Sequence, residues 1–253
     1  MPGSLARDAR RTPLTGSTFI RALAALDDAP ASVAPDAFAQ RLAHWFDWTQ
    51  AFTLSAALSD ASPRPDVPAF GGSGALAADE REFARVRAAL AKAIADAPGG
   101  GPAPRRVGRP LAGAVAPDDV ATDFATFRQR YAACQLAMET QVVPLRRRLR
   151  STLADRSPAL ARLAELDSVM EQVVGAQERA LLATVAGRLE PRFEHLKSMH
   201  PGPASPEPGS PRQPGPWLER FRQEMRSLLL VELDLRLQPV EGLLQACRTS
   251  IRP

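Results

Sequence analysis

Apolar residues along this chain recur at intervals of three and four, the spacing that puts side chains on one face of an α-helix. The longest such stripe is Val120, Phe124, Phe127, Tyr131, Cys134, Met138, Val142, Leu145 and Leu149. After Ser157-Pro158, a natural helix start, a second stripe carries Leu163, Leu166, Met170, Val173, Leu181, Val185, Leu189, Phe193 and Leu196. Helices joined by so short a turn must be antiparallel neighbours. A register centred between Arg156 and Ser157 sets Tyr131 against Leu182, Phe124 against Leu189, Val120 against Phe193 and Met138 opposite Gly175. The same register pairs Arg146 with Asp167 and Arg148 with Glu165, and brings Arg188 and Arg192 near Asp123 and Asp119.

Upstream, Phe19, Leu23 and Leu26 predict a short helix ending before Pro30. A second helix, over 35–59, places Phe38, Leu42, Trp45 and Phe52 on one face, and a third, over 79–97, begins at Ala78 or Asp79 and carries Phe83, Val86, Leu90 and Ile94. The last helix begins around Trp217 and is apolar on more than one face, with Leu228, Val231 and Leu235 on one stripe and Leu230, Leu233, Leu237, Val240 and Leu244 on another. Residues 231–237 also alternate like a strand. Helix is preferred there because leucine is a good helix former, Glu232 can pair with Arg236 one turn later, and no second strand candidate exists. Pro144, Pro191 and Pro239 fall inside helical patterns and are expected to kink or break them.

Proline and glycine gather between these elements and mark the organisation. It is a disordered arm at 1–14, an N-terminal helical unit at 15–97, a flexible linker at 98–117, and a C-terminal helical bundle at 118–253 with a Pro-rich loop at 201–216. The expected fold is all-α, an elongated bundle built on a long antiparallel hairpin with a smaller N-terminal helical unit.

With 253 residues, 45% of them hydrophobic, the chain can bury a sizeable core, and 6% aromatic content fits helices better than strands. The formal charge is +4, and because Lys92 and Lys197 are the only lysines it is carried by arginine. Such an Ala, Arg and Pro bias reads as GC-rich coding sequence, which weakens inference from arginine abundance alone. Cys134 and Cys247 are isolated, unlike a disulfide framework, so a reducing cytoplasm is expected. No run approaches the roughly 18 uncharged apolar residues that a membrane span needs, and no signal peptide is indicated.

The search for chemistry is mostly negative. His44, His195 and His200 lack metal-ligand spacing, Gly72-Ser-Gly74-Ala-Leu-Ala77 follows no credible strand and reads as a loop, and no Walker lysine follows a glycine run. No catalytic, cofactor or metal site is expected, and the chain reads as a non-enzyme. Arg146, Arg147 and Arg150 are candidate anion-binding residues, set against neutralisation by Glu165, Asp167 and Glu171 across the hairpin. Trp45 and Trp48, with Phe46 and Phe52, form the one dense aromatic cluster along the sequence. Together with Leu228, Leu233, Leu235 and Leu237 they are candidate partner-binding residues.

Asp123-Phe124 with Arg128 to Tyr131, the stretch 160–167, Arg179-Ala-Leu-Leu-Ala-Thr184 and above all 228–239 resemble an uncharacterised proteobacterial family, a domain of unknown function, with likeness extending to 38–58. The resemblance implies a helical fold. Through the genes that often neighbour that family, for a flagellar-stator-like membrane protein and a peptidoglycan-binding protein, it also implies an accessory role in an envelope-linked assembly. The expected function is a non-catalytic helical adaptor or scaffold that binds a protein partner or itself, with nucleic-acid binding through the arginines as the alternative.

Overall fold

Two side-chain caps fix where the central hairpin begins and turns. Asp123 accepts a hydrogen bond on Oδ1 from Ala125 N–H at 3.0 Å, and Ser157 Oγ accepts from Leu160 N–H at 3.2 Å with Pro158 in the first helical turn. The computed structural model describes residues 18–26, 55–56, 73–96, 123–199 and 215–251. Among these residues the chain is all-α, with helices α1 (Thr18–Leu26), α2 (Ser73–Asp96), α3 (Phe124–Ala154), α4 (Pro158–Ala183), α5 (Val185–Ser198) and α6 (Pro216–Ile251). The arm at 1–14, most of the helix expected over 35–59 with Trp45 and Trp48, the linker at 98–117, residues 201–214 of the Pro-rich loop, His44 and His200 lie outside the described residues.

The helices alternate in direction. α3 and α4 form the antiparallel hairpin, α5 continues α4, and α6 lies beside α3 in the same direction, as Phe127 against Phe221 and Gln135 against Glu232 show. α2 runs opposite to both, with Asp79 meeting Arg148 and Glu80 meeting Arg248. α1 packs on α6. One hydrophobic cluster joins all six helices, so Phe19, Leu23, Val86, Leu90 and Ile94 of the expected N-terminal unit share their core with the hairpin.

The hairpin register is offset by one helical turn from the expected one along much of its length. Arg146 does meet Asp167, but Gln135 reaches the Leu182 carbonyl and Phe124 packs on Phe193, one turn beyond the expected Leu189. A shift of about four residues returns each helix to the same face, so apolar matching alone does not separate the two registers. Gly175 accordingly makes no room for Met138. A Cβ added there would meet Arg179 Nη1 at 3.4 Å and Glu171 Cγ at 3.8 Å.

None of the three prolines ends its helix. Pro144 and Pro191 are exposed and Pro239 is half-buried, so freed carbonyls on that side can reach water. A mid-helix proline costs about 3 kcal/mol, whereas each fully buried Val, Leu or Phe contributes about 1.5–3 kcal/mol. Buried Val142 and Leu145, Leu189 and Phe193, or Leu237 and Val240 flank each one and outweigh it. The interruption falls instead at Thr184, whose N–H and Oγ1 both turn back to the Leu181 carbonyl.

α2 begins at Ser73, ahead of the expected Ala78 or Asp79, and the presumed glycine loop supplies its first turns. Leu76 is drawn into the core there, and glycine is tolerated in a first turn because the early N–H groups have no intrahelical partner. At the opposite end of the bundle Phe124, Phe127, Phe193, Trp217 and Phe221 pack with ring centroids 5.0–5.7 Å apart. Gly215 is required beside them, because a Cβ would lie 2.8 Å from the Trp217 ring.

Replacing Leu149, fully buried on α3, by Ala is expected to cost about 2–5 kcal/mol. The same change at Leu136, 62% exposed on the same helix, is expected to fall within about 0.5 kcal/mol of wild type. Urea unfolding followed by circular dichroism checks both.

Candidate functional site

Glu232 is placed on α6 by the same leucine-rich pattern that builds the helix, yet it is 0% exposed. Arg236 donates from Nε and Nη2 to its Oε1 at 2.9 and 2.8 Å, the pairing expected from the one-turn spacing. Tyr131 of α3 donates its hydroxyl to Oε2 at 2.7 Å, and Gln135 Nε2 lies 3.0 Å from Oε1 while also donating to the Leu182 carbonyl of α4 at 2.8 Å. A carboxylate offers about four acceptor positions, so this one is filled. Burial, then the adjacent carboxylate and its hydrogen bond, push the Tyr131 phenol far above the ordinary tyrosine range. Burial and Glu232 likewise push the Cys134 thiol up. The cluster ties three helices together.

The arginine cluster near the hairpin turn is divided by the fold. Arg146 forms a two-pronged contact with Asp167 at 2.9 and 2.7 Å, and Arg150 reaches Asp167 at 3.1 Å and Glu171 at 2.6 Å. Both side chains are largely buried, whereas Arg147 is exposed. Arg148 does not take up Glu165 as expected. It bonds Asp79 at 3.1 Å because α2 packs along α3 and buries that carboxylate. Arg192 meets Glu224 of α6, holding that carboxyl below its usual range through its hydrogen bonds. Arg156, in the turn itself, is 5% exposed with none of its three guanidinium nitrogens hydrogen-bonded.

The expected partner stripe on the last helix is inside the protein. Leu228, Leu233 and Leu237 are buried and Leu235 is half-buried, because α1, α2, α3, α4 and α5 all pack on α6, while Leu230 of the second stripe stays exposed. Further apolar surface lies between α2 and α3. Leu90, Ala93 and Ile94 of α2 and Ala133, Cys134 and Ala137 of α3, with Arg130, line a groove of about 250 Å³ between the two helices. Alanine contributes little to a hydrophobic stripe, which is why periodicity passed over this groove. His195 sits exposed in the last turn of α5. Among the described residues no group of three His, Cys, Asp or Glu side chains is placed to hold a metal ion, and no helix is long and apolar enough to cross a membrane.

A family described as a protein of unknown function (DUF3348) has a model that matches residues 5–249, and the chain belongs to that family. This agrees with the likeness to an uncharacterised family seen in the sequence. No curated protein and no solved structure matches the chain.

Tyr131 is the one tyrosine of the chain, so its ionisation can be read directly at 295 nm. Its folded pKa is raised, so the folded state holds the proton more tightly than the unfolded state does. Its contribution to stability is constant below the ordinary tyrosine pKa of about 10 and is lost as pH rises beyond it. The phenolate signal is expected only together with alkaline unfolding, and Tyr131→Phe should weaken the pH dependence above 10. A phenolate signal that develops before any loss of helix would show an accessible hydroxyl.

Proposed function

We propose that this protein is a non-catalytic helical adaptor or scaffold acting through protein–protein contacts, with the groove between α2 and α3 as its partner surface. The observation that carries this reading is the groove's composition. Its lining is alanine with Cys134 and Arg130 over the already buried Leu90 and Ile94, Ala93 and Ala133 being exposed to solvent. Small side chains let a second helix approach closely, as helix-in-groove recognition requires. The competing nucleic-acid reading keeps only Arg147 of its three arginines exposed, since Arg146 and Arg150 are held by Asp167 and Glu171. The further step, an accessory role in an envelope-linked assembly with the protein itself in the cytoplasm, rests on the family resemblance and the isolated cysteines.

Ala93→Glu and Ala133→Glu place a charge in the groove at positions where helix tolerates glutamate. Both variants are expected to keep the wild-type melting curve and to lose the partner recovered with wild type in pull-down from native expression. Ala88→Glu, on an exposed position of α2 outside the groove lining, should recover it. Equal recovery with all three folded variants would sink the proposal. Retention of nucleic acid that declines with salt would favour the competing reading.

A further inference from the structure

Helix α4 carries two apolar stripes. Leu160, Ala164 and Leu182 belong to the shared core, on the side where Asp167 meets α3 and Gly175 faces the cleft beside Arg236 of α6. Leu166, Val169, Met170 and Val173 follow at i, i+3, i+4 and i+7 on the opposite side. A helix that only had to pack on α3 and α6 would present polar residues there. Solvent reaches this second stripe only in part. Leu166, Val169 and Met170 are half-buried and Val173 is 8% exposed, although none of the four belongs to the central cluster.

We propose that the second stripe of α4 is a docking surface for the chain's own segment 35–59, in which Phe38, Leu42, Trp45 and Phe52 share one face at helical spacing. The burial of Val173 calls for an apolar cover, and α3 and α6 meet α4 on its other side. Of the sequence beyond the described helices, 35–59 holds the dense apolar face, whereas 98–117 and 201–214 are dominated by Gly, Pro, Ala and Arg or by Pro and polar residues. Reach is ample as well. The chain enters α2 at Ser73, and Asp79 in its second turn bonds Arg148 near the end of α3, the end at which α4 begins. The roughly twenty residues between Phe52 and Ser73 extend up to about 70 Å, against about 10 Å between neighbouring helix axes. Trp45 then belongs to an internal contact, so this docking is independent of the groove between α2 and α3.

The test uses the full chain with paired cysteines, Leu42→Cys or Trp45→Cys each combined with Met170→Cys, treated with a short bis-maleimide and read by electrophoresis and peptide mapping. Glu139→Cys with Arg179→Cys serves as a positive control, because those side chains already meet across the hairpin at 3.8 Å. Cross-linking within one chain for at least one test pair is the expected result. Cross-links found only between chains would assign the stripe to a second copy and overturn the proposal, as would no cross-link while the control pair reacts. Independently, Val173→Glu should shift tryptophan emission to the red and raise acrylamide quenching, with Gln172→Glu as the exposed control. Trp217 is buried in the aromatic cluster, so such a change reports Trp45 and Trp48. Unchanged emission in folded Val173→Glu would equally overturn the docking.

Discussion

A carboxylate with no contact to water must be paired and hydrogen-bonded before helices can close around it, since an isolated buried charge costs several kcal/mol at least. Glu232 sets that condition for this bundle. Its four donors come from α6 itself and from α3, and Gln135 carries the connection on to the backbone of α4. Leucine contacts alone tolerate sliding by a turn. A hydroxyl at 2.7 Å from one specific oxygen does not, so the polar cluster locks the axial alignment that the apolar stripes leave loose.

The rest of the charge pattern follows the same economy. Arg146, Arg192 and Arg236 each place two guanidinium nitrogens on one carboxylate in contacts that are mostly shielded from solvent. A planar guanidinium suits this better than an ammonium, because its forked donors hold both geometry and charge. Arginine abundance in the chain is therefore partly architectural.

What could be read from the sequence were features governed by local spacing. The Ser157-Pro158 start, the continuous stripes of α3 and α6, the burial of Cys134 and the Glu232 to Arg236 pair all depend on residues within a turn or two of each other. Features that depend on which helix lies alongside were not legible. Asp79 looks like a helix cap and is instead the buried partner of Arg148, 69 residues distant in sequence and brought there by α2. The aromatic cluster draws Phe124, Phe193 and Trp217 from three helices, whereas linear proximity pointed to Trp45 and Trp48. Leucines on α6 looked too numerous for one hairpin to cover, because the packing of α1 and α2 against the same helix was not visible in their own short stripes.

The separation between Tyr131 and Glu232, 101 residues, also bears on how the chain acquires its structure. α3, α4 and α5 are contiguous, so the hairpin can zip from its turn at small loop-closure cost. During synthesis it emerges before α6 exists, with the apolar face that α6 will occupy still open and Tyr131 and Gln135 without their carboxylate. Completion has to wait for the final helix to arrive and select its alignment. In the interval the nascent hairpin is the species most open to chaperone capture or to pairing with another chain.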